Sequence, residues 1–261
     1  MGICDLVPGI SGGTIAFITG IYERLMNAIK GFSPKLITSN FKEEVKKLDL
    51  RFLIFLFLGI ISSILLGARI IESLLENYYA RTLSFFIGLI VASSFILFHN
   101  IKRHEVSEYL WGLMGLIIGF GLIFLSPNEM SISNAYLFLG GLIAISAMFL
   151  PGISGSFILL IMGLYEPILS MLGEISLNIY SLGVFILGMI FGAFVISRII
   201  AYLFKKDKNK TLYFLLGLVI GALGVPVMKV YESMSSSDWI MIPGLFFIGA
   251  LIVLIIGRYT N

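Results

Sequence analysis

Hydrophobic residues run through this chain in long, nearly unbroken stretches, and polar residues gather between those stretches. Each apolar stretch is about 15 to 20 residues long, close to the roughly 20 residues that a helix needs to cross a bilayer. We therefore predict six transmembrane helices. Their approximate ranges are 52–71, 82–98, 109–125, 182–200, 211–226 and 240–257.

The overall composition supports the same class of protein. The 261 residues are 58% hydrophobic and 13% charged, whereas soluble domains are about 45–50% apolar and about 25% charged. The excess apolar surface has to face lipid. A net charge of +3, with most basic residues clustered in a few loops, argues against a nucleic-acid partner. The sequence thus predicts an all-α integral membrane protein.

The chain contains an internal repeat. Residues 8–23 align with residues 151–166 at an offset of 143, and more than half of the sixteen aligned positions are identical. Both copies contain Pro-Gly-Ile-Ser-Gly, followed by Gly, a hydrophobic residue, Tyr and Glu. Further along, Gly59 and Arg69 align with Gly188 and Arg198 at an offset of 129. We therefore divide the chain into a first repeat, 1–128, and a second repeat, 129–261.

Loop charges predict the orientation of the two repeats. Lys and Arg concentrate in loops 31–51, 99–108 and 201–210, which predicts that these loops are cytoplasmic. The chain can then be threaded only if the segment of about 135–170 enters and leaves the membrane on the outer side, as a re-entrant hairpin. By the repeat, the segment of about 1–30 is the matching hairpin from the cytoplasmic side. Such an inverted-topology repeat is typical of secondary transporters that hold their substrate near the midplane, although a channel can share it.

The repeated motif predicts an anion site at the two hairpin tips. Proline lacks an amide hydrogen and glycine permits positive φ, so the chain should break at Pro-Gly and a new helix should begin near the motif serine. Unpaired amides at a helix start attract anions, small residues let the ligand approach, and hydroxyls add donors. Alternatively, these residues only cap and pack two tight turns. The predicted phosphate-binding residues of the motifs are Gly9, Ser11, Gly12, Gly13, Thr14, Gly152, Ser154, Gly155 and Ser156.

Five charged residues are further candidates. Arg69 and Arg198 occupy equivalent positions, where an arginine could clamp a phosphate or extend its side chain to lipid headgroups. Glu23 and Glu166 lie about nine residues from the start of an expected continuous helix, or about 14 Å at 1.5 Å per residue, which favours an interfacial carboxylate over a proton-coupling group. Asp5 lies three residues before the first tip, and carboxylates within the membrane are candidates for coupling.

Other patterns narrow the function. The sequence contains no nucleotide-binding Gly-x-x-x-x-Gly-Lys-Ser/Thr motif and no metal-binding cluster, so we expect no cofactor and, for a transporter, proton or sodium coupling. Both histidines lie in loop 99–108, far from the motifs, which argues against a lipid phosphatase or other enzyme. Small-residue spacings predict helix packing, within the chain or in a homodimer. These pairs are Gly115/Gly119, Gly188/Gly192 and Gly217/Gly221.

The double motif is similar to that of a known family. Asp-Leu-Val-Pro-Gly-Ile-Ser-Gly-Gly-Thr at 5–14, Gly-Ile-Tyr-Glu-Arg at 20–24 and the second copy at 151–166 resemble the PopT family of bacterial polyprenyl-phosphate translocases, over essentially the whole chain. The resemblance implies a flippase that returns undecaprenyl phosphate from the outer to the inner leaflet of the plasma membrane, which recycles the carrier for peptidoglycan and other cell-envelope polymers. It also implies that loops 8–14 and 151–156 handle the phosphate. Family members have a longer apolar stretch before the first motif than the seven residues found here. A transporter or channel for a small soluble anion is the alternative.

Overall fold

A computed structural model describes residues 1–5, 11–32, 48–101, 104–125, 132–173, 175–235 and 238–260. Every regular element within these ranges is helical. A short 3-10 helix, Leu122–Phe124, extends the fifth α-helix. The α-helices are α1 (Gly2–Asp5), α2 (Gly12–Ile18), α3 (Tyr22–Gly31), α4 (Leu50–Asn100), α5 (Val106–Gly121), α6 (Asn134–Phe149), α7 (Gly155–Ile161), α8 (Tyr165–Gly173), α9 (Ile175–Lys206), α10 (Lys208–Ala222), α11 (Gly224–Ser233) and α12 (Asp238–Thr260).

Six helical segments of the described chain are long and apolar enough to cross a membrane, or seven if the bent pair α7 and α8 is counted as one span. The six are Leu50–Gly67, Ser73–Asn100, Val106–Phe124, Leu177–Lys206, Lys208–Ser233 and Asp238–Ile255. Their number and positions confirm the prediction of an all-α protein with about six membrane helices.

Several spans differ from their predicted limits, as α4 and α9 show. α4 contains both of the first two predicted helices, and only Tyr78, with φ −141° and ψ 44°, departs from helical geometry between them. α9 has 32 residues, or about 48 Å at 1.5 Å per residue, which exceeds a hydrocarbon core of about 30 Å. Its basic end, Lys205 and Lys206, can therefore extend beyond the core into water.

Glycines bring helices of the two halves into close contact. Gly115 and Gly119 of α5 lie against the backbone of α10, and Gly217 and Gly221 of α10 lie against the backbone of α5. A Cβ atom at any of the four would approach backbone atoms closer than van der Waals contact allows. The prediction that these glycine pairs serve helix packing is confirmed. Closely approaching glycines also join α12 to the second part of α4. Two helices of the first half are therefore each packed against a helix of the second half.

The third predicted pair packs within the second half. Gly188 and Gly192 of α9 face the backbone of α6 at Phe138 and Leu142. Gly59, which aligns with Gly188 in the repeat, has no atom within 4 Å of the position where a Cβ would lie. Equivalent glycines therefore have opposite surroundings in this structure.

This contrast predicts opposite effects of one substitution. Gly188→Ala should destabilise the protein by about 1–3 kcal/mol, because the added methyl group meets the Phe138 carbonyl. Gly59→Ala should stabilise it by about 0.5–1 kcal/mol, because alanine is the better helix former and its methyl group meets open space. Thermal unfolding in detergent measures both. Equal shifts of the two variants would contradict the packing shown by α6 and α9.

The described parts of the predicted cytoplasmic loops gather at one end of the molecule. Arg24 donates two hydrogen bonds to Asp49, at 2.6 and 3.1 Å, and Lys208 Nζ lies 2.7 Å from Glu23 Oε2. The hydrogen bonds from Arg24 hold the pKa of the Asp49 carboxyl below its ordinary value. His104 contacts the Tyr213 hydroxyl. Residues 33–47 and 102–103 of these loops lie outside the described residues.

The two short helices α2 and α3 both contribute to the largest buried core. Ala16, Phe17, Tyr22 and Met26 are at most 2% exposed. They share one apolar cluster with residues of α4, α9 and α10. By contrast, only 6% of the Leu50–Gly67 span is buried within the protein. The first motif helix is therefore an interior element, surrounded by longer helices.

Candidate functional site

The two motif copies fold alike beyond the tips. α2 and α7 each have seven residues, and α3 and α8 begin four residues after those helices end, at the same offset of 143 as the sequence repeat. Between them, Gly20 and Gly163 have φ of 75° and 65°, a conformation that side chains beyond glycine rarely adopt. α7 and α8 meet at 109°. The repeated Gly of Gly-x-Tyr-Glu thus breaks the helix in each copy.

This break corrects one expectation. Glu23 and Glu166 were expected on continuous helices, about 14 Å from the tips at 1.5 Å per residue. That expectation is wrong, because α2 ends at Ile18 and α7 ends at Ile161. Glu23 nevertheless lies near the predicted cytoplasmic loops, where it pairs with Lys208. Glu166 is exposed in the first turn of α8.

Ser11 begins α2 and organises the first motif. Its backbone is extended, with φ −112° and ψ 137°, and its Oγ accepts a hydrogen bond from the Gly13 amide at 3.1 Å. The hydroxyl donates to the Met148 carbonyl at 3.3 Å. Ser11, Gly12, Gly13 and Thr14 are all buried. The expectation that a helix begins near Ser11 is confirmed, while Pro8 and Gly9 lie outside the described residues.

The first motif lies directly against the second. The Gly152 amide donates to Thr14 Oγ1 at 2.7 Å, and the Tyr22 hydroxyl donates to the Phe149 carbonyl at 2.8 Å. Gly152 has φ of 91°, as expected of a tip glycine. A Cβ on Gly13 would lie 2.7 Å from the Met148 carbonyl oxygen. Segments 11–14 and 148–152 are therefore in contact although they lie far apart in sequence, 137 residues for Ser11 and Met148.

The second motif differs in its polar groups. Ser154 begins α7, and its Oγ shares a hydrogen bond of 2.8 Å with Ser156 Oγ instead of capping the helix. Gly155 faces the Ala144 carbonyl, while Ser156 is exposed. A cavity beside Gly152 and Ser154 has a volume of only about 10 Å³. Because one water needs about 10–15 Å³, a phosphate does not fit there in this conformation.

Asp5 closes the first motif from the other side. Its Oδ1 accepts a hydrogen bond from the Gly12 amide at 2.6 Å. A carboxylate of the chain itself thus occupies the amide that the sequence assigned to a phosphate. Because the sequence predicts a chain break at Pro-Gly between the two groups, helical periodicity could not have predicted this contact.

The two candidate arginines lie in different surroundings. Arg198 donates to the carbonyls of Lys30 and Phe32 at 3.4 and 3.3 Å, at the carboxyl end of α3, and its guanidinium lies over the Phe194 ring. Arg69 is exposed on α4. Neither residue makes one of the contacts described for the motif segments. Tyr22, by contrast, joins the two motifs, although its place in the repeated Gly-x-Tyr-Glu was the only sequence signal for it.

Together, six membrane-spanning segments and an interior broken helix, α2 with α3, define a polytopic integral membrane protein. The chain belongs to the undecaprenyl phosphate translocase-like family, whose model matches residues 1–239. A polyprenyl-phosphate transporter of Vibrio cholerae serotype O1 is 39% identical to it over 227 residues, which cover 85% of this chain and 73% of that protein. A polyprenyl-phosphate transporter of Staphylococcus aureus is 29% identical over 282 residues, which cover 100% and 94%. No solved structure matches the chain significantly.

The family match confirms the resemblance that the double motif indicated. With its six apolar spans, the chain is a multi-pass protein of the bacterial plasma membrane.

Proposed function

We propose that this protein translocates undecaprenyl phosphate from the outer to the inner leaflet of the plasma membrane. The observation that carries the proposal is the direct contact of the two motifs, through Thr14 and the Gly152 amide at 2.7 Å. Two copies of a motif rich in amide and hydroxyl donors meet there inside a chain of the translocase-like family. The names of both relatives support a polyprenyl phosphate as the substrate.

The phosphate would bind between the two motifs. Once the motifs separate, small residues at Gly12, Gly13, Gly152 and Gly155 would leave backbone amides within reach of an anion. Charge-assisted hydrogen bonds to amides and hydroxyls are stronger than neutral ones. Ser11, Ser154 and Ser156 would supply hydroxyl donors. The isoprenoid tail stays in lipid through a lateral opening, because its burial in a closed protein cavity would require space that a headgroup site does not need.

Transport also requires the site to open. The two motifs are in direct contact through Thr14 and the Gly152 amide, so they have to separate before a phosphate enters between them. We propose that the two halves form an inverted repeat with a re-entrant hairpin at each motif, and that rocking of one half against the other opens the site to each leaflet in turn. Arg69 and Arg198 would then attract the phosphate on its way in or out rather than hold it at the motifs.

Asp5 would link this opening to an ion gradient. Its carboxylate competes with the phosphate for the Gly12 amide, so binding of the lipid displaces it. A displaced carboxylate inside the membrane binds a proton or a sodium ion, because an unpaired charge there is costly. Glu23 and Glu166 are the alternative coupling groups, although the pairing of Glu23 with Lys208 favours an interfacial ion pair.

Asp5→Asn tests this competition. We expect the lipid concentration that half-saturates transport to fall about tenfold, because a neutral amide holds the Gly12 amide about 1–1.5 kcal/mol less tightly than a carboxylate does. We also expect the transport rate to stop responding to an imposed proton or sodium gradient. Initial rates in proteoliposomes measure both, and Asp49→Asn, which removes a half-buried carboxylate paired with Arg24, is the control. An unchanged half-saturating concentration together with an unchanged gradient response would remove Asp5 from the mechanism.

Leaflet-resolved transport of undecaprenyl phosphate in proteoliposomes tests the proposed function itself. We expect protein-dependent movement of the intact lipid, and no inhibition by inorganic phosphate at concentrations where a second polyprenyl phosphate competes. Inhibition by inorganic phosphate alone would instead indicate a small-anion transporter or channel. Release of phosphate from the lipid would indicate an enzyme.

A further inference from the structure

A second cavity lies at the predicted cytoplasmic end of the protein, away from the motifs. It has a volume of about 360 Å³ and is formed between α5, the end of α9 and the start of α10. Small-molecule sites commonly have volumes of about 300–1,000 Å³, so this cavity reaches the range of a ligand pocket. The proposed phosphate site between the motifs does not include any of its residues.

The lining of the cavity is divided by polarity. Trp111, Met114, Leu203 and Phe214 form an apolar wall, with the rings of Trp111 and Phe214 6.4 Å apart in an edge-to-face arrangement. Lys206 and Lys210 lie at its polar side. This combination fits a ligand with an anionic head and an apolar chain.

The charges near the two lysines leave a net positive site. Asp207 lies between them in sequence, and its carboxylate caps the start of α10 and lies 3.5 Å from Lys210 Nζ. Lys208 is paired with Glu23 and does not line the cavity. Two ammonium groups therefore face one carboxylate at the rim, and that carboxylate has a structural role as a helix cap.

We propose that this cavity binds the phosphate headgroup and the first part of the chain of a polyprenyl phosphate in the inner leaflet. The inference rests on the proposed function and adds a second binding site to it, which the lipid occupies after it leaves the motifs. A phosphate monoester carries about −1.5 to −2 charges, which suits two lysines better than the single charge of a phospholipid diester. A pocket of about 360 Å³ between three helices also suits one chain better than two acyl chains.

The position of Trp111 provides a direct binding assay. The sequence contains two tryptophans, and the other, Trp239, is 68% exposed on α12. In a Trp239→Phe protein, the fluorescence of Trp111 should change in a saturable manner as undecaprenyl phosphate is added in detergent micelles. In the same background, Lys206→Gln with Lys210→Gln should weaken binding about tenfold or more, because about 1.4 kcal/mol of lost ionic contact is one factor of ten. Asp207→Asn keeps a capping side chain and removes the competing charge, so it should strengthen binding severalfold.

Lys205→Gln is the matched control, because it removes the same charge from the neighbouring residue of α9, which does not line the cavity. We expect it to bind as tightly as the parent protein. Thermal unfolding of each variant verifies that it is folded. A Trp111 signal that does not respond to the lipid, equal binding by the double lysine variant and its parent, or equal affinity for inorganic phosphate or phosphatidylglycerol would each overturn the inference.

The same assay separates this inference from the proposed function. It measures binding at Trp111 and requires no translocation. Transport without a Trp111 response would contradict the second binding site and would not affect the proposed site between the motifs. A saturable Trp111 response in a protein that moves no lipid would contradict the proposed transport and leave this binding site standing.

Discussion

Gly13→Leu is expected to reduce undecaprenyl phosphate transport by more than about tenfold, the largest loss that we predict for one substitution. Gly13 is buried, and a Cβ placed on it would lie 2.7 Å from the Met148 carbonyl oxygen. A leucine side chain therefore has to displace the second motif from the first, and it would also cover the amides at the start of α2. Initial rates in proteoliposomes measure the loss.

Gly183→Leu is the matched control for this prediction. Gly183 lies within α9, and a Cβ there meets no atom within 4 Å, so the same exchange should leave transport close to the wild-type rate. If Gly13→Leu does not fold, Ser11→Ala is the milder variant, because it removes only the hydroxyl that accepts from the Gly13 amide and donates to the Met148 carbonyl. Wild-type transport by a folded Gly13→Leu protein would rule out a phosphate site between the motifs.

The sequence predicted the spans and the helix contacts because both depend on local composition. A bilayer sets the length of an apolar helix, so the six spans follow from the pattern alone. Close helix contact in a membrane needs small residues, so spaced glycines such as Gly115 and Gly119 indicate where helices meet. The spacing does not show which helix each glycine contacts. Only the structure shows that α5 and α10, from different halves, pack against each other.

The geometry of the candidate site was less predictable. Gly20 could be aligned with Gly163 in the sequence. A sequence does not distinguish a glycine within a helix from a glycine with positive φ, so a continuous helix was expected where α2 ends. Thr14 contacts Gly152 although its equivalent in the repeat is Phe157, so the repeat gave no reason to pair them. The contact of Asp5 with Gly12 similarly depends on how α1 and α2 lie against each other, which composition does not determine.

Thr14→Val is the most direct test of the contact between the motifs. Valine has nearly the shape of threonine but has no hydroxyl, so the Gly152 amide loses its acceptor in a site where Thr14 is 1% exposed. An unsatisfied buried amide costs about 1–3 kcal/mol, and we expect transport to fall roughly tenfold, with a lower unfolding temperature. Proteoliposome rates and thermal unfolding in detergent measure the two effects.

Thr14→Ser separates the hydrogen bond from general stability. Serine keeps the hydroxyl and loses a buried methyl group, which costs about 0.8 kcal/mol, so this variant should also unfold at a lower temperature. If the bond to Gly152 aligns the two motifs, Thr14→Ser transports nearly as fast as the wild type and only Thr14→Val is slow. Transport that instead follows unfolding temperature across both variants would reduce Thr14 to a packing residue, because the hydroxyl would then have no effect beyond stability.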